Sequence, residues 1–427
     1  MVIPRNRKEI VSFVKHPLAV NSLLVFSSTL LGNIFAYLFN IIAAKMLGPV
    51  DYGVLAAVIA LMGITGVFSM SLSVTVTKFV SSYKGRGEEA EISSLVTNLT
   101  KIFLVLGVIV LIFFIVFEKP LAGFFNIPYQ YAIVFVGAMI LVSSLGTINM
   151  GTIGGLQNFS FIALANFSQT FLKFALGLSF IYMGFKVNGA ALGIVLSAFI
   201  IYLMTFFPLR GIVSFNFSSI KLPWKKFISY SMPALFSMWG IASLTSTDVV
   251  LAKKFFDPEF AGVYSFTALV GRVIFFASSS ISAVMFPLIS ERSAGGKRYK
   301  HLLLYGLLGT AFISLSINAF YFLFPVFTLQ FFSGFGKSAY LLGASFVGIL
   351  GFYYVIFSLC NSLISYFLSV HKTLVASAFP TAAALMQILL IGRFHEDPWQ
   401  IIISSIVCVF LLLTAFLVYL VFYDREK

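Results

Sequence analysis

Charge is scarce in this chain. Aspartate and glutamate together number 14 in 427 residues, and charged residues of both signs make up 10%. A surface so poor in charge cannot hold a protein of this length in water, which excludes an ordinary soluble domain. Cysteine is nearly absent: Cys360 and Cys408 both fall in apolar runs and read as small buried side chains, which excludes a disulfide framework or a thiolate metal site. Histidines are few, and His301, His371 and His395 stand in loops without ligand spacing. There is no phosphate-binding loop, metal-ligand cluster or nucleophile–base pair. No loop exceeds about twenty residues, which leaves no room for a soluble catalytic domain, so the chain is not expected to be an enzyme. A cleavable leader is not expected either. Residues 1–18 carry Arg5, Arg7, Lys8 and Lys15 and suit the membrane interface, and the first apolar run is too long for a signal-peptide core.

Apolar residues, by contrast, make up 60% of the chain, more than any core needs and what lipid-facing helices require. Their runs predict an all-α integral membrane protein of twelve spans: 20–44, 52–80, 93–117, 129–152, 159–183, 188–208, 227–252, 261–287, 300–326, 338–368, 373–392 and 399–422. The expected organisation is an interfacial segment at 1–19, a six-helix lobe at 20–208, a basic linker at 209–226 and a second six-helix lobe at 227–427. The net charge of +14 is spread through short loops rather than gathered into one domain, so a nucleic-acid partner is not expected. With the N-terminus inside, 19 Lys and Arg residues fall on the inner side and seven on the outer side. That imbalance predicts a cytoplasmic membrane protein with both termini inside.

The stretch Lys45–Gly53, K-M-L-G-P-V-D-Y-G, sits between the first two spans. Pro49 cannot continue the hydrogen bonding of the helix before it, and Gly48 is free to take a positive φ, so a tight hairpin is expected. The punctuation returns 209 residues later, where Lys254, Pro258, Gly262 and Val263 repeat Lys45, Pro49, Gly53 and Val54. Without a gap, 45–87 against 254–296 gives nine identities in 43 pairs, against about 8% by chance in so biased a composition. Six spans per repeat is an even number, so the two halves are expected as parallel repeats, with a substrate path between them.

A few polar side chains interrupt the spans. Ser22, Thr29, Asn33, Tyr37, Asn40 and Ala44 follow one another at helical spacing in span 1. Such a stripe either hydrogen-bonds neighbouring helices or lines a water-filled cavity. Arg272 stands ten residues past Gly262, about 15 Å into the membrane at the rise of a helix. A charge at that depth faces a cavity, a ligand or a partner, and the alternatives are substrate contact or a structural ion pair within the second half. Lys173 lies at similar depth in span 5, preceded on its face by Asn166 and Gln169, and it either meets substrate or satisfies carbonyls within its own half. Two cations, one per half, suit an anionic group such as a phosphate. Asp248 is the single acid within any span. It either carries a proton or ligates sodium, or it caps nearby donors and pairs with Lys253 or Lys254; direct pairing with Arg272 is not expected from their depths.

The stretch A-K-M-L-G-P-V-D-Y-G-V from Ala44 resembles the signature that follows the first span of polysaccharide flippases, roughly A-R-x-L-G-P-x-x-Y-G. Leu47, Gly48, Pro49, Tyr52 and Gly53 match, and Lys45 stands in place of the usual Arg. The stretch from Asp248, D-V-V-L-A-K-K-F-F-D-P-E-F-A-G-V-Y, is similar to that family's span 7 and following hairpin. Ser71-Leu72 departs from the Gly-Leu pair common in span 2. The resemblance implies membership of the multidrug/oligosaccharidyl-lipid/polysaccharide (MOP) exporter superfamily, with spans 1, 2, 7 and 8 around a central cavity. It implies a monomeric flippase that moves polyprenyl-pyrophosphate-linked oligosaccharide by alternating access, coupled to a proton or sodium gradient and needing no cofactor. In that reading Arg272, Lys173, Asn33, Tyr37 and Asn40 meet the substrate, Asp248 meets the coupling ion, and membrane lipid is the surrounding partner. A multidrug antiporter is the alternative, disfavoured by one acid against two intramembrane cations. A lipid-linked glycosyltransferase or polymerase is a further alternative, disfavoured by the short outer loops.

Overall fold

A computed structural model of the chain describes residues 17–210, 224–294, 298–334, 339–370 and 372–422. The described residues form helices joined by short turns, without strands. In chain order they form α1 (Pro17–Gly85), α2 (Glu89–Val116), α3 (Glu118–Phe124), α4 (Gln130–Gly155), α5 (Phe159–Phe180), a π-helical turn (Ile181–Phe185) and α6 (Lys186–Thr205). There follow α7 (Trp224–Leu244), α8 (Thr247–Phe255), α9 (Pro258–Ala294), α10 (Lys300–Leu323), α11 (Pro325–Ser333) and a 3₁₀ segment (Ala339–Ser345). The last three helices are α12 (Val347–Ser369), α13 (Thr373–Arg393) and α14 (Pro398–Phe422).

Ten helical stretches among the described residues are long and apolar enough to cross a membrane. Two of them, Ser27–Gly85 with 59 residues and Phe159–Thr205 with 47, are far longer than the ~20 residues one crossing takes. Each contains a turn at a positive-φ glycine, Gly48 at φ 74° and Gly184 at φ 90°. Each therefore supplies two crossings, and the described helices make a multi-pass membrane protein of twelve. Outward-facing apolar side chains such as Val105, Ile109 and Val116 on α2 stay more than half exposed, as lipid contact requires. Pro233 in α7 and Pro380 in α13 lie inside helices, within the spans expected at 227–252 and 373–392.

Packing divides the chain into two compact units. The first contains Met1–Ala43, Phe68–Glu118 and Tyr131–Ser231; the second contains Ala44–Val67, Lys119–Gln130 and Met232–Lys427. The tip of the first hairpin and the segment around α3 thus pack with the helices of the second half rather than with their own.

In the first unit, the second arm of α1 and α4 run side by side in constant register. Ser69 Oγ meets Ser143 Oγ at 3.0 Å, Thr77 Oγ1 donates to the Gly151 carbonyl at 3.0 Å, and Ser81 Oγ donates to the Gly155 carbonyl at 3.3 Å. Each pair is separated by 74 residues, so the helices are parallel neighbours. Small residues let them approach: a Cβ on Gly155 would lie 2.6 Å from Val80 Cβ. An apolar core of Leu72, Val76, Val80, Ile92, Leu95, Leu99, Ile148 and Phe227 lies beside this seam. In the second unit α9 packs on α10 and α12, and the Ser282, Ser362 and Thr310 hydroxyls join all three at 2.8 and 3.1 Å.

Candidate functional site

The first unit holds Lys173. Gly32 lets α5 close on the first arm of α1, because a Cβ there would lie 2.8 Å from Thr170 Oγ1. Phe35 then meets Phe167, Phe171 and Phe174 edge to face, with centroids 5.9, 5.4 and 5.4 Å away. Gly177 leaves room for the buried Phe39 ring. Lys173 Nζ stands 5.0 Å from the centroid of that ring. The side chain is half-buried, and among the described residues neither a carboxylate nor a hydrogen-bond acceptor pairs with its ammonium. A cation–π contact contributes about 0.5–2 kcal/mol, less than the hydration an ammonium gives up on leaving water.

Along the expected stripe, Asn33 and Thr29 are exposed, while Tyr37 and Asn40 are half-buried. Asn40 Nδ2 donates to the Ala36 carbonyl of its own helix at 2.8 Å, and Thr29 Oγ1 to that of Val25 at 2.8 Å. These two bonds stay within α1 and hold no neighbouring helix. The side chain of Ser22 lies outside the described residues.

The second unit holds Asp248 and Arg272, and it corrects one expectation: span 7 is not continuous. The run Ser243-Leu-Thr-Ser-Thr-Asp248 is almost wholly Ser, Thr and Asp, whose side chains compete with the backbone for hydrogen bonds. Thr245 Oγ1 turns back onto the Ile241 carbonyl, and Ser243 Oγ meets Thr247 Oγ1 at 2.8 Å. The helix stops at Leu244 and starts again at Thr247. A helix end inside a membrane leaves carbonyls that must find donors. The Leu244 carbonyl accepts from the Tyr353 hydroxyl and, at 3.5 Å, from Gln387 Nε2. The Thr245 carbonyl accepts from Arg272 Nη2 at 2.6 Å.

This break explains the placement of both charges. Arg272 sits against the C-terminal end of α7, where the partial charge is negative, and Asp248 lies in the first turn of α8, where it is positive. Arg272 Nε also donates to the Tyr354 hydroxyl at 3.3 Å. The guanidinium thus spends two of its five donors on its own unit. Asp248 is fully buried, and its Oδ2 accepts from the Tyr264 hydroxyl at 3.0 Å. Its Oδ1 has no hydrogen-bond partner. Nor does Oε1 of the fully buried Gln387, whose amide nitrogen donates to Ser405 Oγ at 3.0 Å. Neither Lys253 nor Lys254 forms an ion pair with Asp248; the one ion pair among the described side chains joins Arg86 and Glu88 at 3.0 Å, far along the chain.

Arg272 and Asp248 thus belong to one unit but do not pair, and Lys173 stands in the other. Tyr264, Tyr353, Tyr354 and Gln387 complete the second site and were not among the residues expected from the sequence. The Ser/Thr run before Asp248 was the signal that marked the break.

The described side chains hold no group of three or more His, Cys, Asp or Glu that could bind a metal. No curated protein sequence matches the chain. Among solved structures, a multidrug resistance MATE family transporter of the MOP superfamily in an inward-facing conformation superposes with a TM-score of 0.77 at 16% identity, covering 91% of this chain and 94% of its own. The lipid II flippase MurJ in an inward closed conformation gives 0.73 at 15% identity, covering 94% and 87%. The MATE multidrug transporter DinF-BH gives 0.66 at 17% identity, covering 96% of each. Identities this low establish a shared fold and nothing finer. The model of the family described as polysaccharide biosynthesis protein matches residues 18–293, well over half of the sequence. The chain belongs to that polysaccharide biosynthesis family, and it shares its fold with a MATE transporter of the MOP superfamily.

Proposed function

We propose that the protein is a flippase that moves polyprenyl-pyrophosphate-linked oligosaccharide across the cytoplasmic membrane by ion-coupled alternating access. The observation that carries this reading is Lys173. It is a half-buried ammonium in a membrane helix with an aromatic ring as its described partner. An unpaired cation in that setting is costly unless an anion visits it, and phosphate oxygens are the anion such a substrate brings. A transporter of lipophilic cations has no use for a fixed positive charge at the same depth.

Asp248 is the proposed coupling residue. Its unpartnered Oδ1 offers an oxygen ligand to sodium or a base to a proton, and the unpartnered Oε1 of Gln387 is a second free oxygen in the same unit. Arg272 takes the smaller part here, since one of its donors holds the Thr245 carbonyl at the break and a second the Tyr354 hydroxyl. The exposed amide of Asn33 and the half-buried Tyr37 and Asn40 suit a wet, sugar-contacting wall.

The reading is tested by binding to the purified protein. Polyprenyl-pyrophosphate oligosaccharide should bind and be displaced by the same lipid carrying other glycans. Lys173→Met should weaken that binding about tenfold, the loss of one charge-assisted contact, and Lys173→Arg should preserve most of it. Tighter binding of a lipophilic cation in Lys173→Met than in wild type, with no change for the anionic lipid, would reverse the assignment in favour of drug export.

A further inference from the structure

The internal repeat has a structural consequence that the substrate reading does not use. Gly53 and Gly262 occupy the same place in the two repeats, 209 residues apart. In the second unit they touch. A Cβ on Gly53 would lie 2.8 Å from Gly262 N and 2.9 Å from Gly262 Cα, and a Cβ on Gly262 would overlap the Pro49 carbonyl oxygen. Backbone thus meets backbone with no side chain between, an approach that only glycine permits.

Hydrogen bonds and rings surround the contact. The buried Tyr340 hydroxyl donates to the Ala44 carbonyl at 2.8 Å. Its ring stacks on Phe266 at 4.3 Å, and Tyr52 meets both rings edge to face at 6.3 and 6.1 Å. Nearer the loops, Tyr129 Oη donates to Asp51 Oδ1 at 2.8 Å, and Asn126 Nδ2 donates to the Lys254 carbonyl at 2.7 Å. Lys254 Nζ lies 3.5 Å from the centroid of the Phe124 ring. Every one of these groups belongs to the tip 44–67, to the segment 119–130 or to the second half. That is why the tip clusters away from the rest of its own repeat. At the base of the tip, Gly63 and Gly66 have open space where a Cβ would sit.

We propose that the hairpin tip 44–67 is a closing element of the transporter, sealed onto α9 by the Gly53–Gly262 backbone contact and latched by the Tyr340–Ala44 bond. By the charge balance of the loops this is the outer seal. Opening would release the tip from α9, and the seam of two repeat-related glycines is the part that an added methyl group forbids. Neither glycine has a positive φ, so the helices themselves do not demand them.

The test needs no substrate, so its outcome is independent of the flippase reading. Ala57 lies one turn below Gly53 and is fully buried. An Ala57→Cys probe in full-length protein, in intact cells, should react slowly with a membrane-impermeant maleimide. Adding Gly262→Ala should raise the labelling rate at least about tenfold, because the added methyl group penalises the closed state and shifts the populations towards the open one. Tyr340→Phe, which removes only the latch hydroxyl, should give a smaller rise. Gly392→Ala, where a Cβ meets open space, should leave labelling unchanged. A Gly262→Ala protein of normal abundance that labels no faster than the parent overturns the proposal. If that variant does not accumulate, an unchanged rate in Tyr340→Phe overturns it alone.

Discussion

Arg272→Ala separates two roles that the sequence left open. In the structure the guanidinium donates to the Thr245 carbonyl at 2.6 Å and to the Tyr354 hydroxyl at 3.3 Å. Removing it deletes one charge-assisted bond, worth about 1.5–3 kcal/mol, and one longer bond worth about 1 kcal/mol. It also leaves the Thr245 carbonyl without this donor in a low-dielectric interior, which costs a further ~1–3 kcal/mol. The total of about 3.5–7 kcal/mol rivals the whole stability of many folded domains. Arg272→Lys keeps a charge at the end of α7 but reaches only one of the two partners, so about 1–2 kcal/mol is expected. Thermal unfolding in detergent, read beside membrane abundance, measures both variants. The alanine variant should be scarce and labile, the lysine variant intermediate, and Tyr354→Phe close to wild type. An alanine variant of normal abundance and melting behaviour that had lost transport would refute the bracing role and make Arg272 a substrate contact.

Asp248→Asn should keep the Tyr264 contact and the fold but lose its response to an imposed ion gradient; gradient-driven transport at the wild-type rate would remove Asp248 from coupling. Gln387→Leu should lose the same response, while Tyr353 still holds the Leu244 carbonyl; unaltered ion dependence would remove Gln387 from the ion's ligands. Cysteines replacing Lys186 and Arg86 test the orientation: the first should react with an impermeant reagent in intact cells and the second only after lysis, and the opposite pattern inverts the topology. Lys297 and Lys337 serve the same purpose from the sequence, though both lie outside the described residues.

The elements of the fold that depend on local chemistry were legible in the sequence. Gly48 and Pro49 announced the first turn, and the structure bends there at a positive φ. Apolar run length gave twelve crossings, because no tertiary partner is needed to make a lipid-facing helix. The three intramembrane charges stood out for the same reason. Their partners did not. Tyr354 is 82 residues from Arg272, and Gln387 is 143 from the Leu244 carbonyl, and no periodicity links them. The break in span 7 was hidden inside one long apolar window, although its Ser/Thr run carried the physical cause. The attachment of the tip 44–67 to the second half left a single trace, a glycine at the same place in each repeat. Such a backbone contact has no side-chain signature to read.

The central claim is that this protein carries an anionic lipid-linked saccharide between leaflets, and one measurement tests it most directly. Purified protein is reconstituted into vesicles holding a polyprenyl-pyrophosphate oligosaccharide with a fluorescent sugar, and an impermeant quencher reports which leaflet holds the label. Wild-type protein should speed exchange between leaflets, an ion gradient should bias its direction, and Lys173→Met at equal abundance should abolish most of it. Exchange no faster than in protein-free vesicles, alongside gradient-driven extrusion of a lipophilic cation by the same preparation, would contradict the account.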